Sequence, residues 1–363
     1  MEFIKPGINI NFVGNRKWAF LVSGALILAT ILLLIRHGGP NYGVDFTGGV
    51  LIQVRLDQTR SPGEIKDALK PINLQDSIIQ QFGDKSAAEY LIRVRKTNLE
   101  LTGLSDQVKN ALVSRFGKGT EIRRVEMVGP KVGKDLRQKA LFAIFYAILF
   151  IAIYISGRFE LKWVMSIIMA LSLAFVVYLT SSFGVSVTWL IIIALIVTLC
   201  LCWFLNLKYA LGAIFALIHD VTITVGAFAL TDREISLAII AAFLTIVGYS
   251  LNDTIIVFDR IRENARRFRR RPFPEVMNES INETLSRTIL TSGTTLVVVA
   301  ALFVLGGGVI HDFAFAMLVG VVVGTYSSIF VASPVLLLWE GKTAGNAGQA
   351  KKGRKNGMRI NSA

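Results

Sequence analysis

The sequence predicts a polytopic α-helical membrane protein with about eight transmembrane helices and one external α+β domain of ferredoxin-like order. Three observations predict it. Of the 363 residues, 53% are hydrophobic and 18% charged, against about 25% charged in an average soluble domain. The apolar residues gather in runs of roughly 20, the length that spans a hydrocarbon core. Between the first run and the second, from Arg36 to Gln138, the composition returns to that of a soluble domain.

Taken in order, residues 1–17 read as a cytoplasmic N-terminus and residues 18–36 as the first transmembrane helix. The run Trp18 to Ile35 follows Arg16 and Lys17. It is too long for a signal-peptide core, and "RHGGP" behind it offers no small-residue cleavage site. Residues 37–137 read as a periplasmic domain. Within it "VLIQVRL" (Val50 to Leu56) alternates as a strand, and "PGEIKDALK" (Pro62 to Lys70) is a helix with Ser61 as N-cap. "DSIIQQFG" and "EYLIRVRK" are strands, "LSDQVKNALVSRFG" is a helix stopped by Gly117, and "TEIRRVEMVG" is a last strand. The resulting order is β-α-β-β-α-β.

Residues 138–340 form the membrane bundle, with seven apolar runs centred near 148, 172, 196, 219, 246, 298 and 327. Positive charge flanking an apolar run marks the cytoplasmic side. "GNRKW", "GRFELKW", "NLKY", "DRIRENARRFRRRPF" and the tail 341–363 with "KKGRKNGMR" all fall on that side. "SSFGVS", "TDREIS" and "GGGVIHD" fall on the other, with the external domain. The net charge of +14 therefore belongs to helix orientation and anionic lipid, not to nucleic acid. "FELKWVMSIIMAL" (Phe159 to Leu171) resembles "LNLKYALGAIFAL" (Leu205 to Leu217), as a duplicated hairpin would.

Cys200 and Cys202 lie two apart in one apolar run, on different helix faces, so neither a disulfide framework nor a cysteine metal site follows. His37 and His311 read as ordinary periplasm-facing residues, and three scattered histidines make no metal site. No cofactor is implied. The arginine-dense run Arg260 to Arg271 reads as a lipid-surface anchor, or as a dock for a cytoplasmic partner. "GGGVI" (Gly306 to Ile310) reads as a loop, and "GVVVG" (Gly320 to Gly324) places two glycines on one helix face for close helix contact. Gly48 and Gly49 in "DFTGGV" suit a turn but not a phosphate loop, since no Lys-Ser/Thr or helix follows.

Polar residues inside the apolar runs are the candidate site, because a charge in hydrocarbon costs at least a few kcal/mol. Asp253, beside Asn252 in "GYSLNDTIIVF", lies about 10 Å along its helix from Arg260, and Asp220 in "ALIHDVTITVG" about 18 Å from Lys208. Arg287 opens the next run and is followed by Thr288, Thr291, Ser292, Thr294 and Thr295. The functional reading is a proton relay through Asp253 and Arg287. Burial resists ionisation of the carboxylate and a nearby arginine favours it, so protonation changes the charge of a buried pair and biases helix packing. Asp220, Asn252, Thr291 and Ser292 are supporting candidates. The structural alternatives are a static Asp253–Arg287 pair, snorkelling of either residue, and a helix-bonding role for Asp220 with His219.

The stretches "YGVDFTGGV", "VEMVGPKVGKDLRQKA", "YALGAIFALIHDV", "TIVGYSLNDTIIVFDRIREN", "TLSRTILTSGTTL" and "GTYSSIFVASP" resemble, in order and over nearly the whole chain, SecF-type proteins. These form the SecD/SecF family of export subunits within the resistance-nodulation-division superfamily. The resemblance implies a half bundle of six helices, a SecD-like partner subunit, and action on unfolded preprotein at the SecYEG channel after the SecA motor. It implies that the proton-motive force drives the work from the bacterial inner membrane, and that protons pass at Asp253 of "SLND" and Arg287 of "SRT". It implies no enzymatic active site. The chain departs from the pattern in segment 159–205, which reads as an inserted hairpin and raises six helices to eight without changing sidedness downstream. Two other readings remain: one half of a small-molecule or lipid exporter, disfavoured because such transporters have two six-helix halves, and a passive translocon scaffold.

Overall fold

Apolar runs fold as helices because, in hydrocarbon, each backbone N–H and C=O must find its partner within its own segment. The structure is a computed structural model describing residues 8–75, 77–82, 88–94, 103–160, 163–182, 187–306 and 308–337. Helix α1 (Arg16–His37) leads through a short α2 (Val44–Thr47) into the sheet domain. This domain comprises β1 (Gly49–Arg55), α3 (Pro62–Leu69), β2 (Ile78–Phe82), β3 (Glu89–Val94), α4 (Leu104–Phe116) and β4 (Glu121–Val128). The bundle continues with α5 (Pro130–Glu160), α6 (Trp163–Ser182), α7 (Val187–Phe204) and α8 (Lys208–Leu230). Helices α9 (Leu237–Arg267), α10 (Phe273–Leu305) and α11 (Gly308–Ser327) complete it.

The strands lie in the order β2-β3-β1-β4 and every neighbouring pair is antiparallel. This is the ferredoxin-like arrangement the alternating pattern predicts. Ile52 and Val54 of β1 and Tyr90 and Ile92 of β3 meet Ile65, Leu69, Val108 and Leu112 of the two helices in one core. Ser61 caps α3 as expected: its Oγ accepts from Glu64 N at 3.3 Å while its own N–H donates to the Glu64 carboxylate at 2.8 Å. Ser61→Ala is expected to cost the domain about 1 kcal/mol, read as lower hydrogen-exchange protection of α3 and β1. The Ser61 N–H also holds the Glu64 carboxyl below its ordinary value of 4.5. A depressed carboxyl contributes its stabilisation fully above that ordinary value, and the contribution fades as pH falls below it through the lower folded value.

Among the described residues, six helices are long and apolar enough to cross a membrane: α1, α5, α8, α9, α10 and the segment Ile310–Leu337 that contains α11. Two shorter apolar stretches, Trp163–Leu179 and Trp189–Phe204, lie in α6 and α7. The eight apolar runs of the sequence thus divide into six and two, and the pair is the hairpin singled out at 159–205. α8 is the central helix, packed by α1, α5, α7, α9 and α11. The close-contact reading of "GVVVG" holds. A Cβ on Gly320 would lie 2.4 Å from Ile246 Cδ1, and one on Gly324 2.9 Å from Ser250 Cβ, so α11 meets α9 where only glycine fits.

The structure corrects the loop reading of "GGGVI": Gly308 to Ile310 form the first turn of α11, leaving Gly306 outside it. A first helical turn has free N–H groups and no ladder yet to weaken, so glycine is tolerated there. Helices also run past their apolar windows. α5 begins at Pro130, ahead of the boundary expected at 138, and α10 begins at Phe273, well before Arg287. The apolar pattern did not predict the π-turn Ser328–Ala332, which follows α11 within a helical segment running on to Leu337 and where Ser333 Oγ bonds Ser328 O at 2.8 Å. Pro334 follows, and its missing N–H and its ring disturb the helical ladder one turn back. The basic tail 341–363, residues 1–7 of the N-terminal segment and most of "SSFGVS" lie outside the described residues.

Candidate functional site

The long helix α9 carries Ser250 and Asp253 three residues apart, hence on one face, and that face is buried. Asp253 is only 1% exposed. Its Oδ2 accepts one hydrogen bond, from Ser292 Oγ of α10 at 3.2 Å, and Thr325 Oγ1 of α11 lies 2.7 Å from the same Ser292 oxygen. Among the described residues Asp253 forms no ion pair with Arg287. Arg287 is exposed on the outer side of α10. The static-pair alternative therefore finds no contact to rest on.

Asp220, on the central helix α8, is fully buried and held far more tightly. Its Oδ2 accepts from Ser250 Oγ at 2.5 Å and from Ser327 Oγ at 2.8 Å, while Oδ1 lies 2.9 Å from His219 Nδ1. His219 Nε2 is 3.0 Å from Ser23 Oγ of α1, which lies 3.1 Å from the Tyr326 hydroxyl; that hydroxyl donates to Ala19 O at 2.7 Å. One carboxylate thus joins α1, α8, α9 and the end of α11 in a continuous polar chain. Satisfied networks of this kind fix helix packing, because each buried polar group left alone costs about 1–3 kcal/mol.

The two networks are neighbours. Ser250 of the Asp220 network lies one turn from Asp253, and Ser327 lies two residues from Thr325. The structure therefore brings together Asp253, Ser292 and, through α9 and α11, Asp220. It does not bring in Asn252, which is exposed on the opposite side of α9, nor Thr291, whose hydroxyl bonds the backbone oxygens of Arg287 and Thr288 at 3.0 Å. Thr288 Oγ1 and Tyr249 OH are buried without a hydrogen-bond partner among the described residues. Each sits one helical turn from a site residue, Ser292 and Asp253 respectively.

Sequence reasoning passed over Ser23, Ser250, Thr325, Tyr326 and Ser327. The signal available was small hydroxyl residues inside apolar runs, in "LVSGAL", "YSLND" and "TYSSIF". Hydroxyls bond their own helix backbone cheaply, as Thr224 does with Asp220 O at 2.7 Å, so their presence alone does not mark a site.

Comparison with known proteins bears on the family and the fold. The family model for the SecD/SecF C-terminal region of protein export membrane proteins matches residues 108–201 and 181–342, two stretches overlapping in α6–α7. The SecD/SecF GG motif matches residues 37–59. A protein translocase subunit SecF from Magnetococcus marinus is 42% identical over 344 residues, covering 94% of this chain and 95% of that protein. One from Vibrio alginolyticus is 40% identical over 338 residues, covering 93% and 91%. Among solved structures, SecDF from Thermus thermophilus, a translocon-associated membrane protein, superposes with a TM-score of 0.68 at 30% identity over 92% of this chain. The chain spans 39% of that longer protein. With family models over most of its length and relatives at 40–42% identity over nearly all of it, the chain belongs to the SecD/SecF family of protein-export membrane proteins.

Proposed function

We propose that this chain is the SecF-like accessory subunit of the Sec translocase, and that with a SecD-like subunit it couples the proton-motive force to late preprotein translocation or release. The proton is the coupling ion and no cofactor takes part. The chain sits in the bacterial inner membrane with both termini cytoplasmic, as its flanking basic clusters favour. Its sheet domain then faces the periplasm, where a preprotein leaves the SecYEG channel.

The observation that carries this reading is the contrast between two buried carboxylates. Among the described residues, Asp220 is held by three side chains from three helices, whereas Asp253 has one hydroxyl. A carboxylate bonded this sparingly loses little on taking up a proton, and the charge it gains or loses acts directly on the α9–α10 contact. The outer face beside it supports a partner. Arg287, Asn252 and Thr294 are exposed in membrane-spanning helices, and a charge or polar group facing lipid there is costly even near the start of an apolar run. A second, SecD-like half bundle covering that face removes the cost.

The test is preprotein translocation into inverted membrane vesicles, with the chain and its native partner present or depleted. Collapse of the proton gradient is expected to slow late translocation only where the pair is present. Equal slowing in depleted vesicles would leave the proposal without support.

A further inference from the structure

The loop between α8 and α9 is fastened on two sides by alternate residues. Toward the sheet domain, Ile235 pairs with Tyr42 as a parallel bridge: Ile235 N–H donates to Asn41 O at 2.8 Å and Gly43 N–H to Ile235 O at 2.9 Å. Gln80 Nε2 of β2 donates to Asp232 O at 3.1 Å. Arg93 of β3, 1% exposed, forms an ion pair with Glu234. Asp45, in the "DFTGG" stretch, accepts from Leu237 N–H at 2.8 Å and so caps the first turn of α9. Toward the bundle, Arg233 pairs with Asp312 of α11, lies 3.2 Å from His311 Nδ1, and stacks its guanidinium over Phe315 at 4.5 Å.

The turn itself is built for this. Asp232 takes a left-handed conformation, φ 52°, which aspartate tolerates better than most residues, and neighbours 233 and 234 then point to opposite sides. Gly48, φ 71°, lets the sheet domain close on the start of α5, since a Cβ there would lie 2.7 Å from Pro130 Cα. Arg137 of α5 stacks over Tyr42 at 4.2 Å, completing the dock.

We infer that Arg93 and Asp45 are positioning residues that hold the sheet domain rigidly to the α8–α9 loop, so that a displacement of the helices bearing Asp220 and Asp253 is delivered to that domain. The inference rests on the proton-coupling function proposed above. It needs no flexible lever: both helices leave the loop directly, and the loop is part of the dock. Asp253 lies about 24 Å along α9 from Leu237 by helical rise. A tilt of α9 at that depth therefore reaches Asp45 through one continuous helix, and Glu234 through the loop residues just ahead of it.

Charge reversal tests it in the full chain, co-expressed with its native partner, by gradient-stimulated translocation into inverted vesicles. Arg93→Glu and Glu234→Arg are each expected to lower the stimulated component at least about tenfold, because each leaves like charges facing in a buried site. The double reversal is expected to restore it to within about threefold, the mark of a direct pair rather than two separate structural defects. Joining Gln80→Cys to Asp232→Cys with a short bis-maleimide tests rigidity against the same double-cysteine chain left unjoined; joining is expected to leave the stimulated component no lower than in that unjoined chain. Loss of stimulation on joining, or no rescue by the double reversal, overturns the inference. Asp253→Asn in the same vesicles separates the two ideas. If it abolishes stimulation while the reversals do not, only the docking inference falls. If stimulation persists in Asp253→Asn, the coupling proposal itself falls.

Discussion

Asp253→Asn is expected to accumulate in the membrane as the wild-type chain does and to lose the acceleration of late preprotein translocation by a proton gradient. The side chains have the same shape, and the amide oxygen accepts the Ser292 hydroxyl as Oδ2 does now. Packing of α9 against α10 is therefore kept. What is removed is the ability to change charge, and a site with the same free energy in both states shifts no equilibrium. The expected loss is the whole gradient-dependent component, with motor-driven translocation remaining. Translocation of a slowly exported preprotein into inverted vesicles, with the gradient intact and then collapsed, reads both components. A variant that still responds to the gradient would favour the scaffold reading, with Asp253 serving only to bond α9 to α10.

Asp220→Ala is expected to fail earlier, at the level of the fold. Truncation strands the Ser250 hydroxyl and one nitrogen of His219 in a fully buried site, and leaves the Ser327 hydroxyl with Gly324 O alone at 3.1 Å. At about 1–3 kcal/mol for each unsatisfied buried group, the total consumes much of the roughly 5–15 kcal/mol that keeps a typical protein folded. The variant should appear in the membrane at a fraction of the wild-type amount and unfold at markedly lower temperature in detergent. Asp220→Asn, which retains an acceptor and a donor in the same volume, should recover most of both. Wild-type accumulation and melting of Asp220→Ala would mean that the network rearranges around the gap. The pair of predictions assigns different work to two aspartates that look alike in sequence: one holds the bundle together, the other switches it.

Much of the fold was legible because its causes are local. Alternation in "VLIQVRL", the Ser61 cap, and Gly117 stopping a helix each depend on neighbours within a few residues, and all three stand in the structure. The glycine pair of "GVVVG" was legible as a contact surface, although not its partner α9. The loop assigned to "GGGVI" failed because glycine content is an ambiguous signal at the start of a helix. The π-turn was invisible since it arises from Pro334 within an otherwise regular apolar run.

The candidate site was half legible. Composition alone sets Asp220 and Asp253 apart, because a carboxylate among apolar residues is costly whatever surrounds it. It could not say which hydroxyls answer them, nor that Arg287 and Asn252 face outward while Ser292 faces in. The sequence by itself determined the membrane class, the external βαββαβ domain and the candidate carboxylates, since segment hydropathy, strand alternation and the energetics of buried charge are properties of the chain's own order. Tertiary structure alone decided how tightly each carboxylate is held and where the sheet domain is fastened. Those depend on how each helix is rotated about its axis and on contacts such as Ser23 with His219, separated by 196 residues, which only packing brings within bonding distance.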